Sequence, residues 1–195
     1  MAVSFLPPDA VLVTNYINGD EQALAQLIER HQAKIYGFIY SKVSDRDVAD
    51  DIFQDTFIKV IRTLKTKSYN EEGKFLPWVM RIAHNLSVDY FRNNKKMPIQ
   101  RDTEEFSLFS ILQDSDPNIE SQIIGNQIES DLKRLVEELP ADQKEVLIMR
   151  IYQDLSFKEI SEITGVSINT ALGRMRYALM NIRKIIEKKN LILSQ

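Results

Sequence analysis

Apolar residues recur at three- and four-residue intervals through almost every segment of this chain, and no stretch sustains the period-two alternation of a strand. The pattern predicts an all-α protein without internal repeats. Pro7-Pro8-Asp9 leads into a short helix, Ala10 to Ile17, which Asn18-Gly19-Asp20 ends. Asp20 can cap a longer helix from Glu21 to about Val43, with Leu24, Leu27, Ile28, Ile35, Phe38 and Ile39 on its core side. Ser44-Asp45-Arg46-Asp47 opens a third helix, to about Leu64, with Asp45 and Asp47 near the positive end of the macrodipole. Its apolar positions Val48, Ile52, Phe53, Phe57, Val60, Ile61 and Leu64 exceed what one narrow packing stripe needs, so part of that surface is expected to meet a partner. Thr66 to Phe75 reads as a polar loop, and Pro77 suits the first turn of a fourth helix through Arg92.

Beyond Met97-Pro98 the periodicity lapses. Ile99 to Gly125 is acidic and broken by Ser115-Asp116-Pro117-Asn118, the pattern of a flexible linker. Helical spacing resumes at Asn126 to Glu138, stops at Leu139-Pro140, and returns over Ala141 to Gln153, where Val146, Leu147 and Ile151 are expected to face inward. Ser156-Phe157-Lys158-Glu159 has the spacing of a capping box, Gly165 can take the positive φ of a sharp stop, and Ser167 can cap a further helix. On that last helix Ile168, Ala171, Met175, Ala178, Leu179, Ile182 and Ile186 form the expected inner stripe, leaving Asn169, Thr170, Gly173, Arg174, Arg176 and Tyr177 outside. The predicted architecture is two small helical domains, 1–97 and 126–195, joined by a flexible acidic linker, 98–125, with a helix-turn-helix in the second.

Charge sharpens this picture. The 195-residue chain carries a net charge of −3, with a pI near 5.5, which alone argues against a nucleic-acid protein. The distribution reverses that. Acids gather in Asp45 to Asp55 and Asp102 to Glu120; bases gather in Lys59 to Lys96 and, after Gly165, as Arg174, Arg176, Arg183, Lys184, Lys188 and Lys189 against one acid, Glu187. A basic second helix in a helix-turn-helix fits the major groove, with phosphate contacts supplying affinity through counterion release; the plainer alternative is a helical hairpin with a solvated basic face. Around the fourth helix, Lys67, Tyr69, Asn70, Lys74, Trp78, Arg81, Asn85 and Arg92 interleave aromatics, cations and amides, a mixture suited to single-stranded DNA, although Phe75, Trp78 and Phe91 also suit a core. His31 and His84 are isolated and read as surface or packing residues.

Other chemistry is sparse. There is no cysteine, hence no disulfide or thiolate site. Asp50, Asp51, Gln54 and Asp55 cluster, but Asp45 to Thr56 lacks the central glycine and terminal glutamate of an EF-hand, so neither a metal nor another cofactor is expected. No phosphate-cradling glycine loop and no acid and base set supports an enzyme. No apolar run reaches a membrane span and the N-terminus lacks a signal pattern, which points to the cytoplasm without membrane insertion.

Three blocks in order, Asp50-Asp51-Ile52-Phe53-Gln54-Asp55-Thr56-Phe57, then Trp78-Val79-Met80-Arg81-Ile82-Ala83-His84-Asn85, then Leu139-Pro140 followed by Leu155-Ser156-Phe157-Lys158-Glu159-Ile160, resemble a bacterial RNA polymerase sigma factor of the extracytoplasmic function (ECF) type, in the sigma-70 family. The likeness runs from about Asp20 to Ile186. It implies a dissociable, non-enzymatic factor that directs core RNA polymerase, through the β′ clamp and β flap, to promoter DNA, and that an anti-sigma factor holds inactive. Region two would dock Asp50, Asp51, Ile52, Gln54, Asp55 and Phe57 on the β′ clamp and take a flipped base of the minus-ten element with the Lys67 to Lys74 loop, Arg81 and Asn85. The acidic linker would thread toward the RNA exit path. Region four would read the minus-thirty-five element, with Lys158, Asn169, Thr170, Leu172, Gly173, Arg174, Arg176 and Tyr177 on its DNA side. Where many relatives carry Val, a base and Ser after the threonine, this chain has Ala171-Leu172-Gly173, which offers an apolar contact for a thymine methyl and a close backbone approach, so its upstream preference differs in expectation. A stand-alone helix-turn-helix regulator with an N-terminal sensing or dimerisation domain accounts equally well for Leu155 to Lys184, but leaves the Trp78 to Asn85 block without a task.

Overall fold

The computed structural model describes residues 7–70, 73–94 and 134–189. The expected linker, most of the helix expected over Asn126 to Glu138, and the termini lie outside the described residues. Among the described residues seven helices are defined: α1 (Asp9–Ile17), α2 (Glu21–Val43), α3 (Arg46–Lys65), α4 (Phe75–Asn93), α5 (Ala141–Ile151), α6 (Phe157–Thr164) and α7 (Ile168–Lys189). Residues 134–137 are also helical, and no strand occurs among the described residues.

Local chemistry sets the helix boundaries. Asp20 accepts from the Gln22 N–H at 3.0 Å and Asp45 from the Val48 N–H at 3.0 Å, each satisfying a donor that the first turn leaves open. Ser44 ends α2 in the left-handed region. Ser156 and Glu159 form the full capping box of α6, and Gly165 stops it at φ 71°. The first four helices pack sequentially around Leu27, Ile35, Phe38, Ile39, Val60, Leu64, Phe75 and Met80, all nearly or fully buried.

The two halves do not stand apart. α6 packs against α4 and α5 against α2, so Val146, Met149, Leu155, Ile160, Ile163 and Ala171 join the apolar core of the first half. This face corrects two expectations. Ile151 is 55% exposed, whereas α5 buries Ile148 and Met149 beside the expected Val146 and Leu147, because it is packed on two sides. On α7, Ile168 and Leu179 are 44% and 53% exposed; the buried positions are Ala171 and Ala178, small enough to let neighbouring backbones approach closely.

Candidate nucleic-acid interface

The loop between α3 and α4 turns sharply at Lys67 (φ 53°) and Gly73 (φ 72°). The Ser68 N–H donates to the Thr63 carbonyl at 3.1 Å, folding the loop back over the end of α3. This brings the half-buried Tyr69 ring against Trp78, centroids 4.2 Å apart and planes inclined by 37°, with Phe75 behind the indole at 6.0 Å. Trp78 therefore belongs to both readings made of it, one edge against the core and another on a cleft of about 290 Å³. Tyr69, Asn70, Lys74 and Arg81 line the same cleft. Asn85 and Arg92 lie farther along α4, exposed and outside the cleft, and Arg92 pairs with Asp89 at 2.9 Å. Lys67 is exposed at the loop's start.

In the helix-turn-helix, Ser161 Oγ donates to the Val166 carbonyl at 2.8 Å, closing the turn. Ser167 Oγ accepts from the Thr170 N–H at 3.0 Å and lies 2.8 Å from the Thr170 hydroxyl, so Thr170 shares in the cap of α7. Lys158, Asn169, Thr170, Arg176 and Tyr177 are exposed, and Gly173 is half-buried. Arg174 Nε pairs with the Asp142 carboxylate at 3.2 Å, tying α7 to α5. Leu172 lines an apolar groove with Phe157, Met175, Leu179 and Met180, edged by Arg176 and Arg183.

The α3 residues divide. Asp50, Asp51, Gln54 and Asp55 are exposed, whereas Ile52 and Phe57 are each only 6% exposed and serve the core. The exposed apolar residue on this helix is Ile58, at 60%, which sequence reasoning passed over. Burial, and then the hydrogen bond to Asp50, push the Tyr36 phenol up to about 12, so Asp50 is partly committed within the fold.

A further cluster was not legible in the sequence. Glu145 of α5 accepts, on one carboxylate oxygen, from Lys42 Nζ of α2 at 2.7 Å and lies 2.8 Å from His84 Nδ1 of α4; the two nitrogens are 3.0 Å apart. Burial alone pushes the Glu145 carboxyl up, but the His84 hydrogen bond and the Lys42 ammonium outweigh it and bring the group down to about 2. His84, expected to be an isolated residue, is thus part of the contact between the halves.

Residues 27–97 match the family described as Sigma-70 region 2, and residues 130–180 that described as Sigma-70, region 4. The chain belongs to the sigma-70 family. It is similar over most of its length to the ECF RNA polymerase sigma-E factor of Haemophilus influenzae, 28% identical over 186 residues, 93% of this chain and 94% of that one. SigW of Bacillus subtilis, also an ECF sigma factor, is 26% identical over 171 residues, 85% and 90% of the two chains. Two solved structures share the fold: CnrH in complex with the cytosolic domain of CnrY (TM-score 0.66, 19% identity, 93% of this chain and 99% of that one) and the sigma factor RpoE of Bartonella quintana in complex with the anti-sigma factor NepR (TM-score 0.62, 19% identity, 84% and 96%). This chain is accordingly a sigma factor of the ECF type, and no helix among its described residues is long and apolar enough to cross a membrane.

Proposed function

We propose that this ECF sigma factor binds core RNA polymerase in the cytoplasm, carries it to promoters and captures the minus-ten element as a single strand, with no catalytic step of its own. The observation that carries the reading is the α4 cleft, where the stacked Tyr69 and Trp78 rings lie beside Lys74 and Arg81. Rings stack on an unpaired base, the cations hold its phosphates, and the Asn70 amide both donates to and accepts from a base edge. Asn85 and Arg92 continue the strand's path along α4, and Lys67 meets the backbone at the loop. Asn169, Thr170, Arg176 and Tyr177 present region four to the minus-thirty-five element in the major groove, with Lys158 on a phosphate. Gly173 permits close backbone approach there, and Arg174 holds α7 on α5 beneath it. Leu172, on the same side, offers an apolar contact for a thymine methyl and lines the groove with Met175, Leu179 and Met180. Asp51, Gln54 and Asp55, with Asp50 beside them, form the acidic face offered to the β′ clamp, which Ile52 and Phe57 support from beneath. One relative in fold, RpoE, is solved with the anti-sigma factor NepR, which supports an anti-sigma factor for this chain also.

Run-off transcription from a pool of promoter fragments, using core polymerase with and without the protein, tests the reading. Discrete starts that require the protein are expected. No starts, together with tight duplex binding by the protein alone, would instead make it a stand-alone regulator.

A further inference from the structure

The inner stripe of α2 is interrupted by a histidine. Leu24, Leu27, Ile35 and Phe38 follow one another at helical spacing in the core, and His31, 8% exposed, stands among them. A buried polar ring needs a partner, and His31 Nε2 has one in Asp9 Oδ2 of α1 at 2.7 Å, a carboxylate that Arg30 also reaches. The imidazole also meets a second ring: its centroid lies 5.8 Å from that of Phe75, with the planes inclined by 41°.

Phe75 is the first residue of α4 and is 1% exposed, and Lys74 before it makes no side-chain hydrogen bond to the open end of the helix. Burial of the Phe75 ring therefore fixes the start of α4 in place of a cap. Trp78 follows one turn on, 6.0 Å from Phe75 and 4.2 Å from Tyr69. Ring contacts thus run without a gap from His31, held by Asp9, through Phe75 to the indole at the cleft. We propose that His31 is a positioning residue for strand capture: its neutral ring, oriented by Asp9, backs Phe75 and through it sets the Trp78 surface on which a base stacks. The proposal rests on the cleft reading under Proposed function.

Protonation disturbs this seat. The charged groups acting on the ring are Asp9 from α1 and Arg30 and Lys34 of α2 itself, Lys34 being paired with Asp154 at 3.6 Å. α4 meets the ring with Phe75, and among the described residues α3 and α5 add no charge to that set. Burial outweighs the attraction of Asp9 and holds the imidazole below its ordinary 6.5, so the folded protein keeps it neutral above that pH and charges it only in more acid solution. A charged imidazolium is drawn from its apolar seat toward water, and Phe75 then loses its backing.

Trp78 is the single tryptophan, so its emission reports on the cleft without DNA. Two signals are followed from about pH 8 to about pH 5, across the range in which histidine titrates: emission of the free protein, and binding of a labelled pool of random single-stranded oligonucleotides by the holoenzyme in excess of core polymerase alone. Wild type is expected to hold both level above pH 6.5 and to lose them together below it, with one midpoint. His31→Gln keeps a donor for Asp9 but does not titrate; it is expected to bind roughly fivefold more weakly at the alkaline end, through the lost ring contact, and to give level profiles in both signals. Asp9→Asn removes the attraction that favours the proton, so its shared midpoint is expected below that of wild type. Profiles of the same shape and midpoint in all three proteins would overturn the positioning role. Emission that depends on His31 beside DNA binding that does not would overturn the cleft reading, and with it the role in strand capture, while the path from His31 to Trp78 stands. If His31→Gln does not fold, Asp9→Asn decides: a midpoint that stays or rises overturns the proposal.

Discussion

Two carboxylates in this molecule are each flanked by a cation and a histidine, and they hold together different things. Asp9 of α1 receives Arg30 at 2.5 Å and His31 Nε2 at 2.7 Å, both from α2. Glu145 receives Lys42 and pairs with His84 from α2 and α4, across the boundary between regions two and four. The first cluster joins neighbouring helices already tied by a tight turn at Asn18-Gly19-Asp20. The second joins partners 61 and 103 residues apart in sequence. Similar chemistry therefore has different consequences. Loss of Asp9 weakens one domain, whereas loss of Glu145 changes how the domains stand to each other.

The largest expected effect follows from Glu145→Ala. Were the halves to stay closed, Lys42 and His84 would be left buried without their carboxylate, which for such clusters destabilises by about 3–5 kcal/mol. Opening relieves that penalty by returning both to water. Urea unfolding followed by fluorescence of the single tryptophan, Trp78 in region two, and by circular dichroism of all helices should therefore separate into two transitions in the variant and coincide in wild type. Coincident transitions in both would contradict the comparison. Asp9→Ala is expected to be milder, about 1–2 kcal/mol, because Arg30 and Asp9 are 27% and 24% exposed and water reaches the pair. Its loss should appear in the tryptophan-reported region-two transition, which should stay coincident with the loss of helix; separated transitions would mean that the two clusters are coupled.

Acid sharpens the same contrast. Glu145 lies well below its ordinary value of 4.5, at about 2, so its stabilising contribution is present above pH 4.5 and is lost as the pH falls from there toward 2. His31 is displaced below 6.5, burial outweighing the attraction of Asp9, so the fold prefers its neutral ring. Its contribution is present above 6.5 and declines as the pH falls below that, where the unfolded chain takes up the proton more readily. Region-two stability should thus begin to decline, with acid, before the contact between the halves does. Separation of the two unfolding transitions already between pH 6.5 and 5 would assign the contact between the halves to a group other than Glu145.

What was legible in the sequence was local. Asp20, Asp45, Ser156 and Gly165 act within a few residues of themselves, and each sits where its spacing indicates. Tyr69, Trp78, Lys74 and Arg81 were legible as a set because one loop and one helix carry them all. Lys42, His84 and Glu145 left no such trace, since no short-range rule links residues brought together only by the packing of α5 on α2 and of α6 on α4. Periodicity also places a stripe without giving its width, which is why Ile151, Ile168 and Leu179 were expected inside. Ala171 and Ala178 set the close contacts of α7, and the larger neighbours at Ile168 and Leu179 are left outside.

The smallest expected effect concerns the open end of the comparison, the exposed beginning of α7. Gly173 lies in the helix interior, and a Cβ built on it meets nothing within 4 Å. Gly173→Ala should therefore raise stability by up to about 1 kcal/mol through the helix preference of alanine, visible as a small rise in the melting temperature. If glycine is there so that backbone can approach DNA, the same variant should lose affinity for an upstream promoter duplex while its binding to single-stranded DNA is unchanged, because α4 and its loop are untouched. Equal loss of both activities would move Gly173 from the recognition surface to the closed packing of the protein, and unchanged duplex affinity would leave the glycine without a part in reading the minus-thirty-five element.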